Sequence, residues 1–251
     1  MKKNETIERI LEHRSIRQWK DEPLSDEIIE TLKEVSIRTS TSEGMQYSSV
    51  IRVKDPTKRE KLVEVSTQKY LATAPELWIF IADNYRNDRI YRENRDEDNF
   101  SNDADKFFQA FTDAAIMAQN VMNAAESMGL GAVYFGSILN NPQKTIEILE
   151  LPENTFPVVG MGIGYPDQEP ELKPRMKADF RIFEDRYEKM DNYHELLKDY
   201  DKEMSKYYDL RIKKKPLDEF TKQVEDKYKV QRTDRSKILR VIRNQGYNLD
   251  I

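Results

Sequence analysis

The chain has no cysteine, and histidine occurs only at His13 and His194. Without thiols there are no disulfides, thiolate nucleophiles, iron–sulfur clusters or Cys-ligated zinc. Neither histidine has a second at metal-ligand spacing, so a zinc enzyme is not expected. Long apolar runs are missing as well. None reaches the roughly 18 residues of a membrane span, and MKKNETIERI reads as an amphipathic helix, not the apolar core of a signal peptide. The expectation is a cytoplasmic protein with no membrane partner. An excess of positive charge is also lacking. With 41 Lys and Arg against 46 Asp and Glu, nucleic acid is not an expected partner. Nucleotide-binding glycine motifs are absent: Gly129-x-Gly131 follows a helix and precedes a strand, the reverse of the dinucleotide order, and no Lys follows Gly136 to make a phosphate loop. The acidic run Asp96-Glu97-Asp98, with Asp103 and Asp105, lacks the glycine and spacing of a calcium loop.

What the chain does have is organised around Asp113 to Ser137. In a sequence that is 35% charged, Glu126 is the only charged residue between Asp113 and Lys144. Ala114, Met117, Ala118, Val121, Met122, Ala124, Ala125 and Met128 cover more of a helix than a surface stripe needs, which predicts a core helix. Gly129 stands where a left-handed residue ends it, and Ala132 to Phe135 reads as a short buried strand that Gly136-Ser137 closes with open backbone. Packing explains the helix; function is sought at Gly136 and Ser137.

In chain order, Asn4 caps a first helix with Ile7, Ile10 and Leu11 on one face. It stops at His13-Arg14-Ser15-Ile16-Arg17, where four polar residues, three of them potentially cationic, surround one Ile. That is a candidate anion site, with a solvated basic turn as the commoner outcome for such residues. Pro23-Leu24-Ser25 opens a second helix whose Ile28, Ile29, Leu32 and Val35 face inward. Thr39 to Ser42 is a hydroxyl-rich loop leading to Gln46, and Ser49 to Val53 a strand. Lys58 to Val65 reads as a helix before Gln68-Lys69-Tyr70. Leu77 to Ala82 is a continuous apolar strand of the kind covered on both faces. Arg86 to Lys106 reads as exposed helix and loop, Pro142 to Leu149 as helix, and Pro157 to Gly164 as a fourth strand. Four strands interleaved with helices give an α/β or α+β fold with a mixed sheet. With no linker and no repeat, a single domain over 1–251 is expected, with a core over about 1–180 and a helical C-terminal arm over about 181–251. Lys173-Pro174-Arg175 follows the last strand, a turn in which Pro fixes the backbone between two cations.

HRSIR, TSTS with Gln46, QKY, AVYFGS and KPR occur in an order that resembles the oxygen-insensitive nitroreductase and NAD(P)H:FMN oxidoreductase family, in particular its NADPH-linked nitroreductase and flavin reductase branch. The resemblance runs from about His13 to Arg175, with a weaker echo beyond. It implies an α+β, nitroreductase-like fold with a mixed central sheet, a long central helix and an extended C-terminal arm. It implies a homodimer that holds FMN at its interface. By motif, His13, Arg14 and Ser15 with Lys173 and Arg175 hold the phosphate and ribityl chain, and Arg17 lies by the pyrimidine edge. Gln68 and Tyr70 are near the ring, and Tyr134, Phe135, Gly136 and Ser137 line it, with the backbone of the last three at the redox edge. Ser40, Ser42 and Gln46 match the loop that the partner subunit contributes. The chain departs from the family pattern in having Gly136-Ser137 where Gly-Gly is common, and in the Glu43-Gly44 interruption of the hydroxyl loop.

The physical chemistry agrees with this assignment. Arg14, Lys173 and Arg175 can give a phosphate several charge-assisted bonds of roughly 1.5–3 kcal/mol each. Arg17, charged at any working pH, favours the reduced cofactor, which makes it the one catalytic candidate. No protein nucleophile is required, and a shared flavin face predicts ping-pong exchange between NADPH or NADH and a small-molecule acceptor such as a nitroaromatic, a quinone or free flavin. Arg211, Lys213 and Lys215, with Lys214, form a basic loop closed by Pro216, a candidate for the 2′-phosphate of NADPH or, almost equally, a complement to a helix dipole. The rival readings are a flavin-binding protein of this fold without efficient turnover and, on the basic loop alone, a nucleic-acid module. The charged segment Tyr187 to Lys229 carries Tyr193, Leu196, Leu197, Tyr200, Met204, Tyr207, Tyr208 and Leu210 at near-helical spacing, an apolar stripe for a partner subunit or for its own chain.

Overall fold

The computed structural model describes residues 4–95, 97–209, 216–231 and 234–249. By contact, the chain forms two compact units, Met1–Gln168 with Arg232–Ile251, and Glu169–Gln231.

In the first unit, α1 (Glu5–Leu11) begins at Asn4, whose side chain accepts the Ile7 N–H, and α2 (Asp26–Ile37) at Ser25, which accepts from Ile28. After β1 (Ser48–Arg52) comes α3 (Pro56–Ser66), with Pro at its first position and Asp55 as cap. The short α4 (Tyr70–Thr73), β2 (Glu76–Asp83) and α5 (Tyr85–Arg92) follow. Next are α6 (Ala104–Ser127), β3 (Gly131–Phe135), a 3₁₀ turn over Gly136–Asn140, α7 (Pro142–Leu149) and β4 (Thr155–Gly164). The second unit contains α8 (Tyr193–Leu196), α9 (Lys198–Met204) and α10 (Phe220–Tyr228). α11 (Ile238–Asn244) returns to the first unit. There Gln245 Nε2 donates to the Pro152 and Thr155 carbonyls, and the buried Tyr247 hydroxyl bonds Asn84 and the Asn154 carbonyl.

The α+β class holds, but the expected mixed sheet does not. The order is β1-β2-β4-β3, and all three pairings are antiparallel. An unbroken apolar strand is the usual mark of a parallel sheet because helices cover both its faces. Here all eight residues of β2 are buried in an antiparallel sheet, with α6 packed against all four strands.

α6 starts at Ala104, nine positions before Asp113, with Asp103 as its cap. Its first turn carries Asp105 and Lys106, so an absence of charge marks only the buried part. The face with Ala110, Asp113, Ala114, Met117, Ala118, Val121, Met122 and Ala125 is buried, whereas Phe108 and Ile116 on the opposite face are 61% and 45% exposed. Ile7, Ile10 and Leu11 share a side of α1, but in the single chain that side is exposed. In the second unit Leu197, Met204 and Tyr207 are buried while Tyr193, Leu196 and Tyr208 are exposed; Leu210 lies outside the described residues. Among the described residues no helix is long and apolar enough to cross a membrane.

Candidate functional site

The HRSIR segment is held against the start of β3. Ile16 N–H donates to the Ala132 carbonyl at 3.0 Å, and Trp19 Nε1 donates to the Gly131 carbonyl at 2.9 Å. Gly131 is required here, since a Cβ would lie 2.5 Å from the Ile16 side chain. His13 Nδ1 and Glu126 Oε1 of α6 are 2.5 Å apart, with the side chains 32% and 12% exposed. Ser15 is half-buried.

Among the described residues, two arginines of this segment differ from the other buried polar groups. Arg14 Nη1 donates to the Glu12 carbonyl at 2.9 Å and Arg17 Nη1 to the Ser15 carbonyl at 3.3 Å. Their Nε atoms are buried and have no acceptor. A buried N–H without a partner costs about 1–3 kcal/mol, so two of them on neighbouring cations mark a place where acceptor atoms from outside the chain are welcome.

At the other end of β3, Ser137 Oγ donates to Gln68 Oε1 at 3.1 Å, and the Tyr70 and Phe135 rings lie 5.4 Å apart between centroids. The Gln-x-Tyr and Phe-Gly-Ser motifs therefore meet. A Cβ added at Gly136 would find no heavy atom within 4 Å, so there is open space beside that backbone. From Ala132 to Gly136 the strand advances roughly 13 Å at about 3.3 Å per residue, which separates the two groups by the reach of an elongated ligand. Tyr134 is half-buried, its hydroxyl 3.3 Å from Gln119 Oε1. Burial, reinforced by the charge of Glu126, holds this phenol well above its ordinary range.

The hydroxyl loop lies elsewhere on α6. The Asp113 carboxylate, 1% exposed, accepts from Ser42 N at 2.8 Å, Ser42 Oγ at 2.9 Å and Tyr47 N at 3.3 Å. Glu43 and Gln46 are held at positive φ, 53° and 56°, and Ser40 and Gln46 are exposed. Asp113 and Glu126 are roughly 20 Å apart along the helix axis at about 1.5 Å per residue. Within one chain, Ser40, Ser42 and Gln46 are not brought to His13.

Lys173 and Arg175 belong to the second unit. Lys173 Nζ is 6.0 Å from the Tyr207 ring centroid. Arg175, exposed, donates to the Lys173 and Pro174 carbonyls and borders a cavity of about 410 Å³ with Asp199, Tyr200 and Glu203. Arg211, Lys213, Lys214 and Lys215 lie outside the described residues.

Arg235 and Glu126 lie outside the expected set of site residues. Arg235 Nη1 donates to the Gly136 carbonyl at 2.9 Å from far along the chain, and no local signal marks it. Glu126 did carry a signal, as the lone charge in a long uncharged run.

The Nitroreductase family model matches residues 10–165, and the model of the family's C-terminal domain matches residues 173–250. The chain belongs to the nitroreductase family. It is 39% identical to an oxygen-insensitive NADPH nitroreductase of Salmonella typhimurium over 204 residues, 81% of this chain and 82% of that protein. Among solved nitroreductase-family folds, the NADPH:FMN oxidoreductase of Vibrio harveyi complexed with NAD⁺ superposes with a TM-score of 0.86 at 34% identity, covering 97% of this chain and 99% of that one. NfrA1 of B. megaterium gives 0.89 at 35% identity, covering 98% and 100%. The family match joins the HRSIR, Gln-x-Tyr and Phe-Gly-Ser segments in one stretch, since all fall within residues 10–165.

Proposed function

We propose that this protein is an FMN-dependent NAD(P)H oxidoreductase that delivers electrons to nitroaromatics, quinones or free flavin. The observation that carries the reading is the pair of buried, acceptor-less guanidinium nitrogens on Arg14 and Arg17, in a segment whose Ile16 is bonded to β3 at Ala132, the strand that ends at the Gly136 turn. These residues fit FMN, which offers an anionic phosphate at one end and a flat polar ring at the other. Names of relatives supply the reductant: a nitroreductase and a flavin oxidoreductase, both NADPH-linked.

His13, Arg14 and Ser15 are assigned to the phosphate and ribityl end. Arg17 takes the pyrimidine edge, where a fixed positive charge stabilises negative charge that develops during turnover. Gln68 and Tyr70, with Tyr134 and the backbone of Phe135, Gly136 and Ser137, are assigned to the ring end. Gly136 keeps the approach open, and Arg235 steadies its carbonyl. For Lys173 and Arg175 the phosphate assignment rests on motif order, and flavin content after their joint replacement by Ala tests it. FMN held by these residues would supply two-electron chemistry between the nicotinamide and the acceptor. The chain's own part is to bind, orient and polarise, which needs neither thiol nor metal-binding histidines.

A homodimer is part of the proposal. The exposed Phe108 and Ile116 on α6 and the exposed apolar side of α1 support it. So does the distance of the Ser40, Ser42 and Gln46 loop from His13 within one chain, since a second copy can supply that loop. A cytoplasmic location, where NADPH is available, completes the reading, and the basic loop with Arg211, Lys213 and Lys215 is its candidate for reductant choice.

Steady-state kinetics of the purified protein with NADPH and a nitroaromatic tests the function. Parallel double-reciprocal lines are expected from alternating use of one bound flavin. A protein that holds FMN yet fails to turn over would instead be a flavin binder of this fold.

A further inference from the structure

Glu126 is a costly residue for its position, a carboxylate on the core helix of the fold and 12% exposed. Among the described residues its carboxylate has one hydrogen-bond partner, His13 Nδ1 at 2.5 Å. The HRSIR segment is already fixed by the Ile16 and Trp19 bonds to β3, so the pair is not needed to hold the backbone in place. A carboxylate only accepts. With Glu126 ionised, Nδ1 must carry the proton, and the remaining ring nitrogen, Nε2, is then an acceptor in the neutral imidazole and a donor only after a second proton binds. We infer that Glu126 is a positioning residue that fixes the tautomer of His13, so that capture of an anion at this end of the site is coupled to proton uptake at Nε2. The inference rests on the reading of His13 to Ser15 as the phosphate end of the FMN site.

The linked proton is assigned to the His13 ring. Glu126 faces it from α6. Tyr134, on β3, is held protonated through this range by burial and the Glu126 charge. The neighbouring charges of its own segment are Glu12, Arg14 and Arg17. A phosphate monoester loses its second proton near pH 6, so between pH 7 and 9 the ligand's charge is constant.

Glu126→Gln separates this account from a structural one. A Gln amide can donate to Nδ1, which lets the neutral ring carry its proton on Nε2 and present a donor without taking up a second proton. The experiment follows FMN release from the holoenzyme by recovery of flavin fluorescence on dilution, from pH 7 to 9. For wild type, the dissociation constant is expected to rise with pH, by up to about tenfold per unit for one linked proton. For Glu126→Gln, and for His13→Gln, it should change by less than about threefold over the whole range on the same linkage argument. A wild-type slope retained in Glu126→Gln overturns the inference, as does a flat wild-type profile with FMN bound, and neither result touches the FMN reading. A wild type that holds no flavin at any pH sinks both. Should the variants not fold, long-range ¹H–¹⁵N NMR of wild type decides, because only His13 and His194 contribute and His194→Gln assigns them. The Nδ1–H tautomer at high pH is expected, and the Nε2–H tautomer contradicts the role of Glu126.

Discussion

Replacing Arg17 by Gln should have opposite effects on the flavin-free and flavin-bound protein. In the folded chain Arg17 has a buried Nε without acceptor and a single long bond, 3.3 Å, from Nη1 to the Ser15 carbonyl. The unpaired N–H costs about 1–3 kcal/mol, and a bond of that length returns at most about 1. Removing the guanidinium is therefore neutral or stabilising for the empty protein, by up to about 2 kcal/mol. For a chain of this size each kcal/mol moves the melting temperature by about 2–4 °C, so flavin-free Arg17→Gln should melt at the wild-type temperature or a few degrees above it. The flavin-bound form loses a charge-assisted contact of roughly 1.5–3 kcal/mol. Much FMN should remain through the phosphate end, while reduction by NADPH slows about tenfold for each 1.4 kcal/mol removed from the transition state. Thermal melts of both forms and stopped-flow reduction measure this. A flavin-free variant that melts several degrees below wild type, with unaltered reduction, would show Arg17 to be a structural residue and refute the reasoning.

Other parts of the site make separate predictions. Asp113→Asn turns one acceptor into a donor facing Ser42 or Tyr47 N–H and should cost about 2–3 kcal/mol; melting about 4–12 °C lower and faster amide exchange over residues 41–47 are expected, and an unchanged melt would remove Asp113 as the anchor of that loop. Gly136→Ala adds a Cβ that meets no heavy atom within 4 Å, so the flavin-free fold should stay within about 1 kcal/mol of wild type while FMN binding weakens; unchanged FMN affinity would place the ring elsewhere. Burial works to raise the Glu76 carboxyl, but bonds from Arg52 and Trp78, with the charges of Arg52 and Arg59, outweigh it and hold it below its ordinary 4.5. Its stabilising effect is thus present above pH 4.5 and lost as pH falls through the lower folded value. Urea midpoints from pH 3 to 6 should fall more steeply for wild type than for Glu76→Gln, and equal slopes would mean that this network does not set acid stability.

Local pattern carried much of the fold. The four strands fall within two residues of the expected segments, and α7 spans Pro142–Leu149 as read from its Pro and apolar spacing. Period and punctuation are local properties, and so are the caps at Asn4 and Ser25. Sheet direction is not, because it depends on which strands become neighbours, and the apolar run of β2 signals burial without stating its partner's sense. The site shows the same division. The resemblance named Gln68, Tyr70, Phe135 and Ser137 separately, but that Gln68 meets Ser137 and Tyr70 meets Phe135, like the Glu126 bond to His13, the Asp113 clamp on Ser42 and the Arg235 bond to Gly136, joins residues far apart in the chain, and only the folded structure reveals it.

The central claim is that the chain uses bound FMN to take electrons from NADPH. Anaerobic titration of the purified, yellow protein with NADPH tests it most directly. The account predicts that the flavin absorbance bleaches fully with one equivalent of NADPH per FMN and returns on addition of a quinone or nitroaromatic. Protein that is colourless after reconstitution with FMN, or yellow but unbleached by excess NADPH, would contradict it.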